Sequence, residues 1–344
     1  MTRTPACRED LENRTVVVRD RKVITNKTTS MLRFVLIMGL CAAFASAGGS
    51  SSPPLKTKSS VRGFHSTPEG QIHYVAGGDY SSGHETTLLL LHGHPRSTTE
   101  FRGLVEALEG KYAFVALDFF GFGSSDDCVS CDSTTNAHVD VARWSSYAVE
   151  IMDSLNVSTF VPVASLKGTY SAAYIAQAYP ERVEATVLVL PLWLNNATLQ
   201  KVQGYMNMAK HPQLAANGSH LLTAWADTSA GGGMDTALNE DKTLDNLRSL
   251  MGGWAYLWHM FDMNNDLLSA MSSFKSKTMV VWGEKALAGW DMFGFETATS
   301  CAKIEAALKS NGNPVTVHKL EYGYESSMAV NSTAIAAWIQ DFLK

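Results

Sequence analysis

The residues able to do chemistry stand at the ends of apolar runs. His92-Gly93-His94-Pro95 follows the run from Thr86 to Leu91, and Asp118 to Ser125, with Gly121 and Gly123, follows Ala113 to Leu117. Ala164-Ser165-Leu166-Lys167-Gly168 closes a third run that begins at Val161. This third junction has the form of a nucleophile elbow, in which a strand turns sharply into a helix and presents one side chain at the tip. Ala164 and Gly168 are the small residues two before and two after the tip, and the tip is Leu166. A serine, cysteine or aspartate there would be a working nucleophile. A histidine would move the protons, and a carboxylate would hold that histidine in its useful tautomer. Leucine can do none of this. Ser165 stands one residue before the tip, so its side chain is expected to point back toward the sheet.

The elements that must position these residues follow from the apolar periodicity. Short apolar runs at 71–75, 86–91, 113–117, 161–165, 185–190, 278–282 and 315–320 read as strands. Between them, Phe101, Leu104, Val105 and Leu108 share one helical face, as do Val141, Trp144, Ala148, Ile151, Met152 and Leu155. Ser97 and Glu100 read as a capping box that opens the first of these helices, and Gly110 closes it. A last helix has Ile335, Trp338, Ile339 and Phe342 on its apolar face. Strands alternating with helices imply a mostly parallel sheet covered on both faces. The rhythm breaks between residues 191 and 273, where a helical insertion after the sixth strand reads as a cap. Residues 61–190 and 274–344 then form the α/β core.

The chain has 344 residues, 45% hydrophobic and 18% charged, enough to build a full core. A net charge of −5 and the absence of a dense Lys/Arg cluster argue against nucleic acid as a partner. Residues 1–47 read as a leader, with the signal proper at 31–47. Arg33 precedes an apolar run from Phe34 to Phe44, and Ala45-Ser46-Ala47 forms a small-x-small cleavage site. That run falls short of the ~20 apolar residues a membrane span needs. No stable span is therefore expected after its removal. Residues 48–60, rich in Ser, Gly and Pro, read as a flexible linker. Sequons at Asn156, Asn196, Asn217 and Asn331 fit a secreted glycoprotein. Cys128 and Cys131 lack the strand-to-helix setting of a redox pair, and His138 alone cannot complete a metal site, so a small local disulfide is expected. Cys301 is expected as a buried free thiol. No metal and no cofactor is implied.

In its motifs the chain resembles the α/β-hydrolase fold family, of the type with a lid or cap. The matching pieces occur in order: His92-Gly93-x-Pro95, Asp118-x-x-Gly121-x-Gly123-x-Ser125, the elbow, Tyr179-Pro180-Glu181-Arg182-Val183 and Trp282-Gly283-Glu284-Lys285. The resemblance covers the chain from about Phe64 to Lys344. It implies a catalytic acid where this chain has Ala286 and a histidine where it has Tyr324, behind Gly323. All three triad positions, Leu166, Ala286 and Tyr324, are therefore substituted. The backbone N–H groups of His94 and Lys167 fall at the oxyanion positions. Trp193, Trp254, Tyr256, Trp258, His259 and Phe261, on or beside the cap, are candidates to face the pocket.

Two readings follow. One is a catalytically inactive relative that binds a small apolar ligand or a protein partner. The other is an active esterase-like or epoxide-hydrolase-like enzyme with relocated residues, such as Ser165 with Asp291. Against the second stands the lack of a histidine near position 324, since His318 falls inside the last strand.

Overall fold

The structure is a computed structural model that describes residues 60–82, 85–131, 139–198, 200, 215–229, 236–252, 266–292, 296–321 and 327–344. The expected leader, the signal and all of the linker before Ser60 lie outside the described residues. So do Tyr324, Trp254, Tyr256, Trp258, His259 and Phe261.

The strands are β1 (Val61–Thr67), β2 (Gly70–Gly77), β3 (Thr87–Leu91), β4 (Ala113–Leu117), β5 (Val161–Ser165), β6 (Ala185–Val189), β7 (Lys277–Gly283) and β8 (Val315–Leu320). They form one sheet in the order β1-β2-β4-β3-β5-β6-β7-β8. β2 runs antiparallel to both β1 and β4, and the remaining pairs are parallel. The hairpin strand β1 has no counterpart among the runs expected from the sequence, because its residues alternate between exposed and half-buried. β3, β4, β5 and β6 are buried at every residue, as strands covered on both faces must be.

The helices are α1 (Arg102–Leu108), α2 (Val141–Ser154), α3 (Gly168–Ala178), α4 (Ser219–Ser229), α5 (Thr236–Gly252), α6 (Leu267–Ser272), α7 (Glu284–Met292), α8 (Thr297–Ser310), α9 (Ser327–Val330) and α10 (Ser332–Leu343). Alternation along the strands divides the core into two layers. Leu89, Leu91, Val115 and Leu117 pack with α2, α3, α6 and α8, while Leu88, Leu90, Phe114 and Ala116 pack with α1 and α10. Capping fixes where α2 starts: the Asp140 carboxylate accepts the Arg143 N–H at 2.7 Å.

The segment expected as a cap includes α4 and α5 among its described residues. α6 lies in the same segment but buries Leu267, Ala270 and Met271 in the core against α3 and α8. α5 meets the core through a polar stripe, with Asp241, Asp245 and Arg248 spaced at helical turns. Leu244 on the same helix is exposed. No helix among the described residues is long and apolar enough to cross a membrane.

Candidate functional site

The elbow is formed where the spacing places it. β5 ends at Ser165, Leu166 has φ +48°, and α3 begins at Gly168. A left-handed conformation crowds the Cβ of a leucine against the backbone, at a cost of about 1–2 kcal/mol. The surroundings enforce it nonetheless. The Leu166 N–H donates to Val189 O at 2.9 Å, and the Thr169 N–H donates to Leu166 O at 3.1 Å. A Cβ at Gly168 would lie 2.3 Å from Leu91 O, so only glycine lets α3 approach β3 this closely.

The Leu166 side chain is buried. It lies against the loop after β3, where a Cβ on Gly93 would be 3.0 Å from Leu166 Cδ1. It belongs to the same apolar cluster as Ala286, Leu190 and Met328. Of the three positions where the motif resemblance implies reactive groups, Leu166 and Ala286 are apolar and buried, and Tyr324 lies outside the described residues. Asp291, the alternative acid, is exposed and turned to α8. Its two oxygens accept the N–H and the hydroxyl of Thr297, each at 2.9 Å. Trp193 is half-buried beside α8, with Lys303 Nζ 4.0 Å above its ring.

Ser165 is fully buried, and its hydroxyl donates to Glu100 Oε1 at 2.9 Å. Glu100 Oε2 accepts the Gly93 N–H at 2.7 Å. This corrects the capping-box expectation. Ser97 does accept the Thr99 N–H, at 3.3 Å, but Glu100 does not reach back to it and instead ties the elbow to the His92–Pro95 loop. Burial pushes the Glu100 carboxyl up to about 6, with Arg96 pulling the other way.

Arg96 is also fully buried. Its Nε lies 3.2 Å from Asp245 Oδ2 on α5, and its two Nη groups have no hydrogen-bond partner among the described residues. Asp245 also accepts the Thr99 hydroxyl at 2.8 Å, and burial pushes its carboxyl up to about 6. A further ion pair joins Arg102 to Asp241 at 2.7 Å, and Arg248 reaches Asp127 at 2.9 Å. Helix α5 is therefore tied to the core by ion pairs at Asp241, Asp245 and Arg248.

Both ring nitrogens of His92 in this loop are committed to the backbone. His92 Nδ1 donates to Gly93 O at 2.7 Å, while Nε2 accepts the Phe119 N–H at 3.0 Å. That pattern fixes a neutral tautomer, and burial pushes the ring's pKa down to about 4. His94 is held well below its usual range by burial and by the Lys167 charge.

Cys128 and Cys131 are joined in a disulfide, with Cα atoms 5.3 Å apart, in the loop that receives Arg248. Cys301 is free but half-buried, not fully buried as expected. Burial pushes its thiol up to about 12. Sequence reasoning missed Glu100, Arg96 and Asp245. Glu100 was concealed by a spacing that fits a helix cap, and the other two are charged residues of the kind that usually faces solvent.

The alpha/beta hydrolase fold family matches residues 86–285. Mouse Epoxide hydrolase 4 is 30% identical over 122 residues, which are 35% of this chain and 31% of that protein. Human Epoxide hydrolase 4 is 29% identical over 129 residues, again 31% of its length. The chain thus spans about a third of the length of these relatives. Among solved structures, an enol-lactonase from Burkholderia xenovorans LB400 superposes with a TM-score of 0.62 at 14% identity, covering 82% of this chain and 99% of that one. A hydrolase from Pseudomonas aeruginosa PA01 gives 0.61 at 16%, covering 82% and 98%. With its sheet order, its elbow and a family match over more than half its length, the chain belongs to the alpha/beta hydrolase fold family.

Proposed function

We propose that this chain is a catalytically inactive member of its family that binds a small apolar ligand at the elbow. The observation that supports this is Leu166, which occupies the left-handed tip where a nucleophile would stand and packs with Ala286 in an apolar cluster. Ser165 does not substitute for it. Its hydroxyl is buried beneath the tip and committed to Glu100, with no open approach for a substrate carbon.

The test is an assay of the purified chain on p-nitrophenyl butyrate and styrene oxide, with native mass spectrometry of the same sample. No turnover and an apolar adduct are expected. Ester turnover that Ser165→Ala abolishes would overturn the proposal. Leu166→Ser, Ala286→Asp and Tyr324→His are expected to do nothing singly, because triad members act as a unit. Weak hydrolysis from the triple variant alone would support all three positional assignments.

The proposal extends to the secretory pathway, on the strength of the signal pattern at 31–47 and the sequons. Asn156, Asn196 and Asn217 are exposed, whereas Asn331 is half-buried and its Nδ2 donates to Ser327 O at 3.2 Å. Glycans are therefore proposed on the first three and not on Asn331. Peptide mapping after enzymatic deglycosylation of secreted protein tests this, and a glycan on Asn331 alone would contradict it.

A further inference from the structure

A second site lies at the other end of the sheet. Between the last turns of α1 and the starts of β3 and β4 is a cavity of about 460 Å3. The strand register fixes its place, because Phe114 pairs with both Leu88 on β3 and Gly77 on β2. The elbow instead follows the far end of β5, beside Leu91. A strand of five residues separates the two, ~16 Å at 3.3 Å per residue.

The walls are apolar, with Leu88, Leu108 and Phe114 among them, and the mouth is acidic, with Asp79, Glu85 and Glu109. No Lys, Arg or His is among the described lining residues. The nearby Lys111 is engaged elsewhere, its Nζ donating to Gln340 Oε1 at 2.7 Å. The acidic side of the mouth is a built feature. Gly78, at φ +76°, lets the loop after β2 press against the sheet, since a Cβ there would lie 2.7 Å from Ala113 Cα. Glu85 Oε2 accepts the Asp79 N–H at 3.1 Å, which holds the two carboxylate-bearing residues together.

A cavity of this volume falls in the range of small-molecule sites, roughly 300–1,000 Å3. Its apolar walls select an apolar body, and its carboxylates attract a positive group while repelling a negative one. We propose that this cavity binds a small amphipathic cation, with an ammonium group at Asp79 and Glu85 and an aliphatic or aromatic body against α1 and Phe114. The site is independent of the elbow and of whatever occupies it.

Octylammonium is the probe, measured by isothermal titration calorimetry against octanoate and 1-octanol. Saturable binding of one octylammonium per chain is expected, at least tenfold tighter than octanol, with no binding of octanoate. The double variant Asp79→Asn, Glu85→Gln changes only half-buried or exposed carboxylates and is expected to fold. It should weaken octylammonium at least tenfold and leave octanol within twofold. Equal binding of octanoate, an octylammonium affinity unmoved by the double variant, or no saturable binding would overturn the site. Octylammonium weakened by Leu166→Gly but not by the double variant would place it at the elbow, which also overturns the proposal. So would sedimentation showing a dimer that dissociates as octylammonium is added, because the occupant would then be a second copy of the chain.

Discussion

The turns after β4 and β5 lie at the same end of the sheet, with β3 and its loop between them, and they differ in what they bury. The turn after β4 keeps a buried carboxylate, Asp118, which accepts the Thr98 N–H at 2.7 Å, the Ser124 N–H at 2.9 Å and His73 Nδ1 at 2.8 Å. Burial alone would raise its pKa, but these partners hold it below the ordinary carboxylate range. The turn after β5 keeps its geometry and has an apolar tip. Asp118 satisfies buried donors that would otherwise go unpaired, so the frame depends on it. A nucleophile at the tip serves only chemistry. Leucine at that tip carries a strained φ and adds apolar burial. Groups that hold the fold and groups that would react are therefore separable, even at one end of the sheet.

The most direct way to break this comparison is Asp118→Ala. Removing the carboxylate leaves two backbone N–H groups and a histidine buried without their acceptor, at a cost of about 3–5 kcal/mol. Urea denaturation measures it. A loss no larger than that of Ser165→Ala, expected near 1 kcal/mol for one hydrogen bond, would show the two turns to be equivalent. The pH sign follows from the depressed pKa. The contribution of Asp118 is complete above its ordinary value of 3.8 and is lost as pH falls through the lower folded value.

A smaller effect is expected at the charge pairs that hold α5. Asp245→Ala leaves Arg96 buried without its ion-pair partner, with the Glu100 charge still acting on it, at a cost of about 3 kcal/mol, the low end for a broken buried pair. The loss should concentrate in the cap, so hydrogen exchange should accelerate in residues 236–252 and leave β3 to β6 protected. Uniform acceleration would mean that α5 is not a separable lid.

Acid titration sharpens the same point with the opposite sign to Asp118. Glu100 and Asp245 are raised from 4.5 and 3.8 to about 6. Between roughly pH 4 and 6 the folded chain holds protons that the unfolded chain has released. Stability should therefore fall as pH rises through that window and level off above it, by on the order of 2 kcal/mol per group. Glu100→Gln should remove about half of this slope. An unchanged slope would show that Glu100 does not titrate there.

How much of this was legible in the sequence depends on how local each signal is. The strands, the helix faces, the elbow turn and its φ could be read because a few adjacent residues determine them: Ala164 and Gly168 permit the turn whatever stands between. The partners of Ser165 could not. Glu100 is 65 residues away, and its position three after Ser97 fits a helix cap equally well. The ion pair between Arg96 and Asp245 joins the loop after β3 to α5, and nothing in either neighbourhood encodes it. Hairpin strand β1 was missed because its half-exposed residues carry no core-facing pattern.

The finest test concerns the tip itself, where strain and packing oppose each other. Truncating a buried leucine to alanine costs about 2–5 kcal/mol, and Leu166 is 7% exposed within an apolar cluster. Relief of a left-handed φ returns only about 1–2 kcal/mol, and only for a residue without a Cβ. Leu166→Gly should therefore destabilise modestly rather than leave stability unchanged. The informative quantity is the difference between two variants. In ordinary backbone alanine is more stable than glycine, by roughly 0.5–1 kcal/mol in a helix or strand. At φ +48° the order should reverse, with Leu166→Gly more stable than Leu166→Ala by about 1 kcal/mol. Both lose nearly the same packing, so the comparison isolates the backbone. Alanine at least as stable as glycine would mean that the turn relaxes once leucine is gone. The elbow would then be held by its tip residue rather than by Gly168, Val189 and Leu91.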